Sequence, residues 1–265
     1  MKDLINRIAV VTGGSGLLGK QHCLALAERG SKVIIIEKNS ISAKNFLRSI
    51  KNEKYFENIF FLKTDITKFS QVKKISKLIS KEFGEVDILI NNAANNPSID
   101  SKKFNNIDHF NHKNWNKDIE VGLTGALNCT IIFGTKMAKM KKGVILNIAS
   151  DLSIIAPDQR LYNKSNKILI AKPVSYSVIK SGLVGMTRYF ATYWSDKGIR
   201  VNALSPGGVY NNQDKLFVKK INKLIPLNRM AKIDEYKGAI QFLCSDDSSY
   251  MTGQNIVIDG GRSVW

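Results

Sequence analysis

The sequence is short of acids, cysteine, proline and histidine, and it contains no long apolar run. Its 265 residues hold 22 Asp and Glu against 40 Lys and Arg, a formal charge of +18. Its three cysteines, Cys23, Cys129 and Cys244, lie far apart with no C-x-x-C. That excludes a disulfide framework or a zinc site and points to reduced thiols in a cytoplasm. Cys129 and Cys244 fall in apolar helical contexts and are expected in the core. No apolar stretch reaches the ~18 residues of a membrane span. The opening Met1-Lys2-Asp3-Leu4-Ile5-Asn6-Arg7 lacks the apolar segment and cleavage site of a secretory signal, so a cytoplasmic protein is expected. His109 and His112 are spaced for ligation on a helix, but no acid or cysteine completes a ligand set, and no metal is expected.

The excess of positive charge invites a nucleic-acid reading. The basic residues, however, are mostly Lys scattered among Asn and Ile, which is the mark of a coding bias. The one dense region, 63–81, reads as the solvated face of an amphipathic helix. Neither a nucleic-acid nor a membrane partner is expected. Attraction of anionic small molecules is a secondary consequence of the charge.

What is present is an alternation of strand and helix. Ile8-Ala9-Val10-Val11 reads as a buried parallel strand. The turn Thr12-Gly13-Gly14-Ser15-Gly16-Leu17-Leu18-Gly19 follows, then a helix through Cys23 and Ala27 that ends at Gly30. Val33-Ile34-Ile35-Ile36 is the next strand, closing on Glu37, eighteen residues after Gly19. This is a βαβ unit in which glycines let the backbone approach a pyrophosphate at a helix N-terminus. Glu37 suits the hydroxyls of an adenine ribose and repels a 2′-phosphate, which favours NAD over NADP. Lys38 beside it works the other way.

Further strands are expected at 59–62, 86–90, 143–150, 199–204 and 256–258, with helices at about 69–83, 115–139, 176–196 and 234–243. Asp65, just past the third strand, is placed either at the ligand edge of the sheet or as an N-cap of the next helix. A Lys- and Asn-rich connection, 210–232, is expected to form a substrate lid. No repeat and no interdomain linker is visible, so residues 1–265 are expected to form one domain.

Within the helix after the fifth strand, Tyr176 and Lys180 are four residues apart and share a face. An ammonium one turn from a phenol draws the phenol's proton affinity down toward working pH.

With these pieces in order, the sequence resembles the short-chain dehydrogenase/reductase family along essentially its whole length. The resemblance rests on residues 12–19, Asp65, Asn91-Asn92-Ala93-Ala94, Asn147 to Ser150, Tyr176 with Lys180, Pro206-Gly207, Thr252-Gly253 and Asp259-Gly260-Gly261. It implies a doubly wound α/β Rossmann fold with a seven-stranded parallel sheet, an NAD(P)-dependent oxidoreductase, and a homodimer or homotetramer in which the two long helices form a bundle; Tyr189, Phe190, Tyr193 and Trp194 are expected in packing or in a subunit interface. By the same resemblance Tyr176 is the catalytic acid/base, Ser150 polarises the substrate oxygen, and Lys180 holds the nicotinamide ribose and lowers the tyrosine pKa. The cofactor would lie against Gly13, Ser15, Gly16, Leu18, Gly19, Glu37, Asp65, Ile66, Asn92, Ala93, Tyr176, Lys180, Pro206, Gly207 and Val209.

Three departures from the family pattern stand out. The glycine turn has the T-G-x-x-G-x-x-G spacing of the family's extended, sugar-nucleotide-modifying members. Gly122 stands where the family usually carries an Asn that anchors a relay water. Tyr176 follows Ser150 by 26 residues, about twice the usual interval. The inserted segment, 151–174, carries Arg160, whose planar fork suits a phosphate or carboxylate of the substrate, although a surface Arg in a loop reads equally well. The stretches 150–162, 203–211 and 259–265 resemble a bacterial branch named for flagellin modification and nonulosonic sugars. The substrate then expected is a phosphorylated or nucleotide-linked sugar, oxidised or reduced at a secondary alcohol or ketone. Two alternatives stay open: a sugar-nucleotide dehydratase or epimerase using bound NAD, and a non-catalytic dinucleotide sensor or scaffold.

Overall fold

The structure, a computed structural model, describes residues 4–95, 110–162 and 171–265. Seven strands form one parallel sheet in the order β3-β2-β1-β4-β5-β6-β7. They are β1 (Ile8–Thr12), β2 (Lys32–Glu37), β3 (Ile59–Lys63), β4 (Ile88–Asn91), β5 (Gly143–Ile148), β6 (Ile199–Pro206) and β7 (Asn255–Ile258). The doubly wound order expected from the sequence is therefore present. The apolar runs are strands because both sheet faces are covered: every residue of β1, β4 and β5 is buried.

Eight α-helices are described: α1 (Leu17–Ala27), α2 (Ser40–Ser49), α3 (Phe69–Glu82), α4 (His112–Ile119), α5 (Gly125–Met140), α6 (Val174–Tyr193), α7 (Lys215–Asn222) and α8 (Lys237–Cys244). One core layer joins the sheet to α1, α2 and α8 through Cys23, Leu26, Phe46, Tyr236 and Leu243. The other joins it to α3, α5 and α6 through Val72, Ile79, Phe133, Met137, Phe190 and Trp194. Cys129 and Cys244 lie in these layers, as expected from their helical contexts. Helices α2 and α7 do not appear in the sequence-based reading, yet both carry local signals. Asn39 caps α2 by accepting from the amides of Ile41 and Ser42, and Asp214 caps α7 by accepting from Leu216 and Phe217.

A buried polar seam fixes α5 and α6 on the sheet. Asn91 Nδ2 donates to Asn147 Oδ1 at 2.8 Å and to Thr130 Oγ1 at 2.9 Å, and Asn147 Nδ2 donates to Thr187 Oγ1 at 2.8 Å. Buried amides need partners, so the two strand ends and two helices are tied to one register.

The single helix expected over 115–139 is divided. A π-helical turn, Glu120–Thr124, separates α4 from α5. A Cβ built on Gly122 would lie 2.8 Å from Ile179 Cγ2 on α6. The place a side chain would take here is filled by Ile179 of the neighbouring helix. Such single π-turns recur at functional sites.

His22, on α1, is fully buried, and neither ring nitrogen has a hydrogen-bond partner among the described residues. Burial drives its pKa from 6.5 down to about 3, with the charge of Lys180 adding to the effect. Its folded-state pKa is depressed, so between these two values the unfolded chain binds a proton that the folded chain refuses. Stability then falls as pH drops, by up to about 1.4 kcal/mol per pH unit. His22→Leu is expected to flatten urea-unfolding free energies between pH 7 and pH 5 while leaving the fold intact. An unaltered slope would place the acid sensitivity elsewhere. Gly122→Asn is expected to cost about 1–3 kcal/mol through overpacking, and Ile179→Ala in the same chain to restore most of it. Paired thermal melts measure both.

Candidate active site

The site is a single cleft of about 1320 Å³ along the carboxyl edge of the sheet. Its floor begins where β1 ends. Gly13 adopts φ +62°, and a Cβ there would approach Ala93 Cα to 2.8 Å. The end of β4 is fastened to this turn. Thr12 Oγ1 accepts from the amides of Asn92 and Ala93 at 3.0 Å, and Asn92 Nδ2 donates to the carbonyls of Thr12 and Gly13 at 3.0 Å. Helix α1 opens on Gly16, with no side-chain cap and no acid in its first turn. A cradle of glycine backbone before a helix N-terminus fits a pyrophosphate, and a Cβ on Gly19 would overlap the Gly13 carbonyl.

Gly13, Gly16, Leu18, Gly19, Asn92 and Ala93 line the cleft. Ser15 does not: it is buried and donates to Glu37 Oε2 at 2.8 Å. Glu37 lines the cleft at the end of β2 and also accepts from the Asn39 amide at 3.1 Å. Asp65 and Ile66 line the same end. Asp65 pairs with Lys38 at 2.7 Å and accepts from the amide and hydroxyl of Thr67. These contacts outweigh its burial and hold its carboxyl below the usual range. It does not cap α3, whose N-cap is Lys68; the segment 65–67 forms its own turn. Lys38, which the sequence left opposed to NAD, is engaged by this carboxylate.

At the other end, Ser150 follows β5, Tyr176 and Lys180 project from α6, Pro206 ends β6, and Gly207 and Val209 follow it; all line the cleft. Lys180 is buried, and its Nζ donates to the Ile148 carbonyl at 2.7 Å, 5.6 Å from the Tyr176 ring centre. Burial lowers the Lys180 pKa to about 8, and the charge of Lys172 adds to this. The sequence-based expectation that Lys180 draws the Tyr176 pKa down is not met in this state. Burial raises that phenol above its ordinary value, the Ser150 hydroxyl opposes the rise, and the charge of Asp151 adds to it. Desolvation prevails because the ammonium is turned to a backbone carbonyl.

Three side chains of this end escaped the sequence reading. Lys172 Nζ sits 3.8 Å from the Tyr176 ring centre, a cation–π contact from the far end of the insertion. Asp151 and Arg262 form a buried ion pair at 2.7 Å, 4% and 7% exposed. Only its adjacency to Ser150 marked Asp151, and nothing local marked Arg262. Arg160, offered as a substrate ligand, does not line the cleft. Its side chain is 87% exposed and its fork closes on Asp158, with Nε to Oδ1 and Nη2 to Oδ2 both at 2.8 Å. The insertion is described only in part, since 163–170 lie outside the described residues. His109 does too, so the His109–His112 spacing has no structural counterpart here. Among the described residues no group of three or more His, Cys, Asp or Glu is placed to hold a metal, and no helix is long and apolar enough to cross a membrane.

A family model described as enoyl-(acyl carrier protein) reductase matches residues 15–263. The NADP-dependent mannitol dehydrogenase of Alternaria alternata is 30% identical, over 100% of this chain and 96% of that protein. The NAD-dependent glycerol dehydrogenase of Listeria innocua is 28% identical, over 99% of this chain and 96% of that protein. Among solved structures, a gluconate 5-dehydrogenase from Burkholderia cenocepacia, in complex with NADP and tartrate, superposes with a TM-score of 0.85 at 26% identity, covering 99% of this chain and 97% of that one. The chain belongs to the short-chain dehydrogenase/reductase family and is an NAD(P)-dependent oxidoreductase.

Proposed function

We propose that the protein transfers hydride between NAD and a secondary alcohol or ketone of a polyhydroxylated substrate, a sugar or sugar derivative. The observation that carries this is the convergence of Ser150, Tyr176 and Lys180 on one end of a cleft whose other end is a glycine cradle beside Glu37. The three relatives named for mannitol, glycerol and gluconate act on polyols or sugar acids by their names, which supports the substrate class. Resemblance of the stretches around Ser150, Pro206 and Arg262 to the flagellin-modification branch supports a finer reading, a phosphorylated or nucleotide-linked sugar destined for a surface glycan. The self-contained Arg160–Asp158 pair takes Arg160 out of that argument.

When bound, the nicotinamide accepts or donates the hydride. Tyr176 moves the proton at its phenol oxygen. A neutral phenol, which burial favours here, is the donor for reduction. For oxidation the phenol must ionise, and Lys180 and Lys172 are the cations near its ring. Ser150 orients the substrate oxygen, and Lys180 holds the ribose. General acid–base help of this kind is worth ~10²–10⁴ in rate. The segment 210–232, with α7, acts as a lid: Phe217, Val218, Ile221 and Ile225 pack against Leu161 and Tyr162 of the insertion beside the cleft. The exposed Leu127 and Ile131 of α5 and Val178, Tyr189 and Tyr193 of α6 support a homodimer or homotetramer built on these helices.

Preference for NAD follows from Glu37, whose carboxylate is braced by Ser15 and the Asn39 amide, and from Lys38 being held by Asp65. Glu37→Ala is expected to erode the preference for NAD over NADP at least tenfold in kcat/KM, and an unchanged ratio would remove Glu37 from ribose recognition. Screening phosphosugars, nucleotide sugars and polyols by the absorbance of the reduced cofactor tests the substrate class. Tyr176→Phe is expected to abolish turnover of whichever substrate is found while leaving NADH affinity, by fluorescence titration, within a few-fold.

A further inference from the structure

Arg160, the cation of the insertion that suits an anionic substrate by sequence, closes on Asp158 outside the cleft. The same segment delivers another cation to the site. Lys172 and Lys180 stand four residues before and four residues after Tyr176. Lys172 Nζ lies 3.8 Å from the ring centre of Tyr176, and Lys180 Nζ lies 5.6 Å from it. The backbone around Lys172 is fixed. Its amide donates to Gln159 Oε1 at 2.9 Å, which ties the two arms of the insertion together. Pro173, next in the chain, is the N-cap of α6, and its carbonyl accepts from the Tyr176 amide at 3.0 Å. Among the described residues lining this end of the cleft, Lys172, Lys180, Lys220 and Arg262 face two carboxylates, Asp151 and Asp214. Asp151 pairs with Arg262, and Asp214 caps α7. Lys172 loses more by burial than the charge of Asp151 returns, and its pKa falls to about 8. An ammonium that has exchanged water for an aromatic face recovers stability when an anion reaches it.

We propose that Lys172 is the residue that selects for an anionic substrate: its ammonium, held over the Tyr176 ring, binds a carboxylate or phosphate carried by the substrate within a few bonds of the reacting carbon. This rests on the reading of Tyr176 as the reacting group, and it narrows the substrate from polyhydroxylated compounds in general to those bearing an acid. The position of the ammonium sets the spacing. The phenol oxygen meets the substrate oxygen, and a cation beside the same ring meets what is attached nearby. Bonds from an ammonium to a carboxylate or phosphate are charge-assisted and stronger than those to a neutral hydroxyl. A surplus of cations at this end of the cleft draws such a substrate in.

The test needs no known substrate. Sulfate and acetate stand in for a phosphate and a carboxylate, and each keeps one charge state between about pH 7 and pH 9.5. Each is titrated calorimetrically, at constant ionic strength, into the protein saturated with NADH, which covers the glycine cradle. Besides Tyr176, the titratable and charged groups lining this end are Lys180, Asp151, Arg262, Tyr162, Asp214 and Lys220, and all stay unchanged in the variants. Lys172 is charged below about 8 and neutral above it, so affinity for the preferred probe is expected to fall about tenfold across that pH range. Lys172→Arg keeps its charge throughout. It is expected to bind within fivefold of the parent chain at pH 7 and to lose less than threefold by pH 9.5. Lys172→Met is expected to bind at least tenfold more weakly at pH 7. Preference for sulfate assigns a phosphate ester and preference for acetate a carboxylate. Unchanged affinity in Lys172→Met, a pH slope in Lys172→Arg as steep as the parent's, or no Lys172-dependent binding of either probe, with or without NADH, overturns the proposal. If Lys172→Met does not fold, the pH profile of Lys172→Arg decides. A chain that binds a probe through Lys172 but does not hold NADH would count against the cofactor reading and not against the anion site.

Discussion

A parallel sheet delivers the carboxyl ends of all its strands to one edge, and that constraint governs this molecule. Along the central strands most side chains are apolar and buried between two helical layers. Polar side chains gather where the strands stop: Thr12 ends β1, Glu37 ends β2, Asn91 ends β4 with Asn92 beyond it, Ser150 lies past β5 and Ser205 within the end of β6. Two pairs of these strand ends are fastened to one another. The Asn91–Asn147 contact locks β4 to β5, and the Thr12–Asn92 contact locks β1 to β4.

The two ends of the cleft are organised by opposite electrostatic means. The glycine end offers backbone and a helix N-terminus, with Glu37 as the acceptor. The substrate end gathers Lys172, Lys180 and Arg262 with one carboxylate, Asp151, which pairs with Arg262. These cations are not equivalent. Lys180 donates to a carbonyl, Lys172 lies over an aromatic face, and Arg262 pairs with a carboxylate. Burial works against charge throughout, which is why Lys172 and Lys180 both fall to about 8 while Tyr176 rises.

Much of this was legible in residue order. Short runs rich in apolar residues announced each strand, and the glycine turn and Glu37 lay in one βαβ unit of the sequence. Tyr176 and Lys180 declared their shared face by a spacing of four. These signals are short-range: they depend on backbone periodicity, on caps, and on residues within a turn or two of one another. The missed helices α2 and α7 had such signals too, in Asn39 and Asp214, but their apolar faces are short.

The tertiary structure decided the rest, because it concerns pairs that no local pattern links. Arg262 and Asp151 are separated by 111 positions and meet only because two glycines turn the chain back after β7. Ile179 fills the space over Gly122 only because α6 crosses the π-turn. Whether Lys180 faces Tyr176 or a carbonyl depends on where β5 ends. The sequence determined which elements form, in what order, and which chemical groups reach the rim. Packing determined which of those groups touch, since burial sets the cost of leaving each one alone and distant partners are the only ones available to meet it.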